Sequence, residues 1–117
     1  MSTFRHLMAI GDPQGQRFED LQALVDTGAS LTMVPGSVLR RLGVPVFERR
    51  VLVLGDGRRM ECDVGETRVR IDGKALTRLV VFADERAPTV IGADTLQGFG
   101  LAVDPTTERL VPAELFG

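Results

Sequence analysis

The chain contains one cysteine, one histidine, no tryptophan and no tyrosine. With Cys62 alone, no internal disulfide can form, and the expectation is a reducing, cytoplasmic setting. A nucleophilic Cys62 would have His6 as its only histidine partner, and nothing in the sequence brings the two together. One histidine, one cysteine and scattered carboxylates match no metal-ligand spacing, and neither dinucleotide nor phosphate-loop glycine patterns occur. No cofactor is expected. Long apolar runs are also missing. The longest, Leu79 to Ala83, is far too short to cross a bilayer, and Leu7-Met8-Ala9-Ile10 is too short for a signal-peptide core. Neither sign of charge dominates: 14 basic and 16 acidic residues give a net −2. That balance offers no electrostatic case for nucleic acid or an anionic membrane. The pairs Arg40-Arg41, Arg49-Arg50 and Arg58-Arg59 are diluted by acidic residues and read as solvated surface.

What is present is a globular composition, 44% hydrophobic and 26% charged, in 117 residues. This is the size of one domain, taken as 1–117, large enough for a core of its own. The pattern is mostly strand. Phe4 to Ile10 and Arg17 to Val25 flank the turn formers Gly11-Asp12-Pro13-Gln14-Gly15. Two Asp-Gly pairs, in Gly55-Asp56-Gly57 and Asp72-Gly73, mark hairpins between apolar runs at Val51 to Leu54, Met60 to Ile71 and Leu76 to Phe82. Met60, Cys62 and Val64 share one face, whereas Val69 and Ile71 take the other parity, which predicts a bulge or bend at Gly65. After the loop 84–88, Thr89 to Gly92 forms a short strand, and Asp104 to Thr107 turns the tail between two more. Helices are predicted near 37–42, with Ser37 as N-cap and Gly43 as the C′ residue, and near 94–99. The expected fold is β-rich, with seven or so strands and two small helices.

One residue sits awkwardly in this pattern. The stretch Ala23-Leu24-Val25-Asp26-Thr27-Gly28-Ala29-Ser30 ends an apolar, buried-looking strand on a carboxylate. Asp26 could be a plain turn residue bonding its own backbone. It could also be a catalytic acid held at the end of a rigid strand.

The apolar-apolar-Asp-Thr-Gly-Ala-Ser run at 24–30 resembles the active-site loop of the retroviral-type aspartic proteases, the retropepsins. A glycine-rich hairpin follows where that family places its flap. Val90-Ile91-Gly92 and a helix-like segment are similar to the family's second apolar-apolar-Gly loop. The resemblance implies an all-β half-barrel with one or two short helices, assembled as a C2 homodimer that hydrolyses peptide bonds. Water would be activated between two Asp26 carboxylates, because Asp-Thr/Ser-Gly occurs once in the chain. By the same resemblance Thr27 braces the paired loops, and Gly28 lets the backbone approach the carboxylates. Ala29 and Ser30 line the cleft, and Gly55, Asp56 and Gly57 form a flap over an extended peptide. Terminal strands would add to the interface. Many viral members carry an ion pair at the positions of Ser30 and Ala93; here both partners are missing. A catalytically silent dimerisation or peptide-binding module of the same fold is the alternative. Asp94 is expected to cap its helix or bond to backbone. Cys62, Met33 and Met60 are expected to pack, and His6 has no assigned role.

Overall fold

The computed structural model describes residues 3–117. Strands β1 (Phe4–Gly11) and β2 (Phe18–Val25) pair antiparallel from Phe4↔Val25 to Gly11↔Phe18. Their turn closes on Asp12, whose carboxylate oxygen accepts the backbone N–H groups of Gln16 and Arg17, each at 2.7 Å. Those bonds, that from Arg17 foremost, hold the Asp12 carboxyl below its ordinary range.

Strand β3 (Thr32–Pro35) leads straight into helix α1 (Gly36–Arg41). The sequence pattern did not single out β3, because four residues ending on proline are too few to display an alternation. Helix α1 starts one residue before the expected span, and Pro35 rather than Ser37 is its N-cap, with no side-chain cap bond. Ser37 lies inside the first turn and is served from outside. Its N–H donates to the Glu85 carboxylate at 3.0 Å, and its hydroxyl donates to the same group. A loop carboxylate thus satisfies a helix N–H that a local cap would otherwise take. Gly43 ends the helix as expected, with φ +73°.

The remaining elements are β4 (Val46–Val53), β5 (Arg59–Ile71), β6 (Lys74–Ala83), β7 (Val90–Ile91), α2 (Ala93–Phe99), β8 (Leu101–Asp104) and β9 (Arg109–Pro112). Among the described residues, nine strands therefore replace the seven or so expected. Seven of them form one sheet in the order β1-β2-β7-β3-β6-β5-β4, and a further β1–β5 pairing at Ala9↔Arg70 and Ile10↔Val69 closes six into a ring. Strand β4 lies outside that ring and, among the described residues, pairs only with β5. The β2–β7 and β3–β6 pairs are parallel, and β7 sits between β2 and β3. Strands β8 and β9 make a separate two-stranded ribbon.

Burial follows from this geometry. The ring encloses the main core, including Met8, Ile10, Val25, Leu39, Val80 and Ile91, with Leu96 and Phe99 of α2 packed in. Fully buried side chains of this size each contribute about 1.5–3 kcal/mol of transfer free energy. A smaller cluster of Leu31, Cys62, Val64 and Val81 lies on the opposite face, toward the β4–β5 hairpin. Strand β5 serves both clusters: Cys62 and Val64 face one, Val69 and Ile71 the other. The predicted change of parity near Gly65 is therefore a change of core. The register slip itself falls on the partner strand, where Phe47 is the extra residue between Val46↔Gly65 and Glu48↔Val64.

Cys62 and Met33 pack into or against the second cluster, while Met60 is exposed. Burial pushes the Cys62 thiol up, as expected of an inert packed cysteine. The arginine pairs are exposed, with partners at Glu19 for Arg41, Asp63 and Glu61 for Arg49, Glu48 for Arg50 and Asp56 for Arg58. No helix among the described residues is long and apolar enough to cross a membrane.

Candidate active site

Strand β2 delivers Asp26. Ala23 and Val25 are buried in the core, and the Asp26 N–H extends the parallel pairing by donating to Ile91 O at 3.0 Å. The chain then turns: Ala29 N donates to Asp26 O at 3.1 Å, and Gly28 N donates to Asp26 Oδ1 at 2.9 Å. The carboxylate is thus oriented by its own loop, half-buried at the surface rather than sunk in the core.

A second loop holds the first from behind. Ala93 N donates to Ala29 O at 2.7 Å and Asp94 N to Ser30 O at 3.0 Å. These bonds require β7 and α2 to approach the 26–31 backbone closely. Glycine at 92 permits it, because a Cβ there would lie 2.5 Å from both C and O of Leu31 and 3.0 Å from Ala29 O. Beneath the contact, two fully buried threonines meet. Their Oγ1 atoms, on Thr32 and Thr95, lie 2.6 Å apart, and Thr32 Oγ1 also accepts the Gly92 N–H at 3.1 Å. Neither threonine stood out in the sequence. A hydroxyl inside an apolar stretch is the only local signal, and the two are 63 positions apart.

Asp26, Gly28, Ala29, Ser30 and Leu31 line one side of a cleft of about 720 Å³. Val51 to Gly55 of the β4–β5 hairpin line the other, with Val51 and Val53 largely exposed. The volume lies within the range of roughly 300–1,000 Å³ usual for ligand pockets. Asp26 is the one ionisable side chain among the described residues lining it. Of the expected hairpin residues, Gly55 reaches the cleft, whereas Asp56 and Gly57 lie in the exposed turn beyond its lining. The Asp56 carboxylate is engaged by Arg58, through its N–H at 3.0 Å and Nε at 2.6 Å, and these bonds hold it below the ordinary range.

Thr27 lines a neighbouring groove of about 610 Å³ with Leu96, Gln97, Ala102 and Val103. The N-cap of α2 is Gly92, so Asp94 is not a cap; its carboxylate pairs with Arg78 at 2.8 Å. His6 Nε2 meets Asp72 at 2.9 Å, far along the sequence from these loops.

A family model described as gag-polyprotein putative aspartyl protease matches residues 15–98. No curated protein sequence matches the chain. Among solved structures, the solution structure of Simian Foamy Virus (mac) protease is similar in fold, with a TM-score of 0.58 at 17% identity. That similarity covers 82% of this chain and 94% of the viral one. The family match runs from the β1–β2 turn through the Asp26 loop and the hairpin to α2, and with it the chain belongs to the retropepsin-like aspartyl protease family.

Proposed function

We propose that the protein is a homodimeric aspartic endopeptidase, with its reaction centre formed by Asp26 of two copies. The observation that carries this reading is the solitary carboxylate. A cleft of peptide-binding size holds Asp26 and no other ionisable side chain among the described residues. Hydrolysis by an aspartic mechanism needs two carboxyl groups about one water. A second copy related by a two-fold axis supplies the other.

In this mechanism one Asp26 carboxylate takes a proton from the water as its oxygen attacks the peptide carbonyl. The partner copy's protonated carboxyl gives its proton to the carbonyl oxygen. The tetrahedral intermediate then collapses, the C–N bond breaks and the amine leaves with a proton. The pair retains one proton throughout, since two close carboxylates do not both ionise. The Gly28 N–H on Oδ1 fixes the rotamer of each carboxylate, leaving its second oxygen for proton transfer. Thr27 acts across the axis, and Ala29, Ser30 and Gly55 bound an extended substrate. The turn Gly55-Asp56-Gly57 closes over that substrate, with Asp56 stiffening the turn through Arg58.

Apolar surface beside the loop supports the dimer. The groove at Thr27 is lined largely by Ala93, Leu96, Leu101, Ala102 and Val103. Near the C-terminus, Leu115 and Phe116 are 82% and 87% exposed. Covering exposed apolar surface is a reason to associate.

The test is cleavage of an unfolded protein substrate across pH, with Asp26→Asn beside the parent. The variant keeps an acceptor oxygen for the Gly28 N–H, so it folds and is inactive. An excess of the variant added to the parent captures it in mixed dimers and suppresses its activity. Cleavage by Asp26→Asn at the parental rate would overturn the mechanism, and parental activity unmoved by the variant would overturn the shared centre. A folded, dimeric parent without cleavage at any pH would favour the binding-module alternative.

A further inference from the structure

Arg78 of β6 is a charged residue with a buried N–H left unmet among the described residues. Its Nη2 donates to Asp94 O at 2.9 Å and to Asp94 Oδ2 at 2.8 Å. Its Nε is buried and has no hydrogen-bond partner among the described residues. A guanidinium with one buried N–H unmet is costly, and an apolar residue at this position would avoid the cost. The surrounding sequence nevertheless accommodates it. Asp94 and Gly98 stand four residues apart on one face of α2, the face turned to Arg78. A Cβ on Gly98 would lie 2.4 Å from Arg78 Cζ and 2.6 Å from both Nε and Nη1. The guanidinium therefore occupies the space that any other residue at 98 would fill, and a helix-weakening glycine is kept inside a seven-residue helix.

Asp94 is where two sets of bonds converge. Its carbonyl and carboxylate are held by Arg78, while its N–H donates to Ser30 O, beside the Ala93 N–H on Ala29 O. We infer that Arg78 is a positioning residue for the cleft floor: clamping α2 at Asp94, it fixes the turn that carries Asp26 from outside the cleft. This replaces the direct route, since Ser30 and Ala93 cannot form an ion pair with each other. The effect on turnover rests on the proteolytic reading above, whereas the mechanical coupling does not.

Two measurements on Arg78→Met test it: amide hydrogen exchange residue by residue, and kcat and KM on a peptide substrate. Protection at Ala29, Ala93 and Asp94 should fall about 10- to 100-fold, the effect of losing charge-assisted bonds. Protection along β5 at Val69 and Ile71 should be retained. If the chain is a protease, kcat falls more than KM rises, and Arg78→Lys recovers part of both losses. Gly98→Ala keeps every charge and improves helix propensity, yet it drives a Cβ into the guanidinium. It should reproduce the same local loss, and it decides the question if Arg78→Met does not fold. Unchanged protection at the three amides, or an equal loss across all strands, overturns the inference. A parent that cleaves nothing would refute the proteolytic reading, while the exchange pattern would still decide whether Arg78 braces the loop.

Discussion

Gly92→Ala puts the packing of the two loops to a quantitative test. The added Cβ would lie 2.5 Å from the C and O atoms of Leu31, both backbone. Carbon atoms pack at roughly 3.5–4.0 Å, so the β7–α2 segment and the Asp26 loop must part by about 1 Å. No flexible side chain can absorb that shift. A separation of about 1 Å carries the 2.7 Å Ala93–Ala29 bond and the 3.0 Å Asp94–Ser30 bond beyond hydrogen-bond range. Overpacking costs about 1–3 kcal/mol and each lost bond about 1 kcal/mol, giving about 3–5 kcal/mol in all. Against a typical total of about 5–15 kcal/mol this is severe, and for a domain of this size it lowers Tm by about 10–20 °C.

Calorimetry or denaturant titration measures the loss directly, with Gly55→Ala as the control. A Cβ at Gly55 meets nothing within 4 Å, and its φ is not positive, so stability should stay within about 0.5 kcal/mol of the parent. Under the proteolytic reading, a displacement of about 1 Å beside Asp26 also costs about 100-fold in turnover. A Gly92→Ala protein that melts within about 2 °C of the parent would refute the close-approach argument, because a clash of that size cannot be nearly free.

Four further outcomes can be measured. Thr32→Val should cost about 1–3 kcal/mol in denaturant titration, since it strands the buried Gly92 N–H and Thr95 hydroxyl together. Thr95→Val should cost less, because Thr32 Oγ1 keeps its bond from Gly92. Asp12→Asn should destabilise the protein at neutral pH: the folded-state pKa of Asp12 is lowered, so its contribution exists above the unfolded value of about 3.9 and fades as pH falls through the folded one. Urea midpoints of parent and variant should therefore converge in acid. Finally, under the proposed homodimeric reading, specific activity should fall on dilution below the dimer dissociation constant, and constant activity from a demonstrated monomer would refute the shared centre.

What could be read from the sequence was what is settled by neighbours along the chain. The Asp26-Thr27-Gly28 turn, the two Asp-Gly hairpins and the glycine after α1 are all decided within a few residues. The features that escaped reading depend on distant partners. Ser37 looked like a cap because its local pattern fits one, but Glu85, 48 positions away, supplies the acceptor. Asp94 fits a cap or a local backbone bond for the same reason, but Arg78 claims its carboxylate from the neighbouring sheet. Strand β3 was invisible because it borrows its order from β6 and β7, with which all its pairing is made. The closure of the ring at Ala9↔Arg70 had no local signature either.

The same division by range shows how the two sides of the cleft differ in the way they are held. The Asp26 loop is tied by backbone bonds to Ile91, Ala93 and Asp94, and a buried hydroxyl pair lies below it. Opening it would break several long-range bonds at once. The hairpin opposite is held differently. Toward its tip Val51, Val53 and Met60 are exposed, and the cluster of Leu31, Cys62, Val64 and Val81, with Leu52 packed against it, anchors its base. Segments with few buried contacts open at low free energy, whereas those locked into a core open only with the whole fold. In the proteolytic reading this asymmetry is a requirement. The reacting carboxylates must not drift by an ångström, and the wall above them must admit and release a chain of peptide. The glycine at 92 and the threonines at 32 and 95 serve the first demand, and the sparse apolar base of the hairpin serves the second.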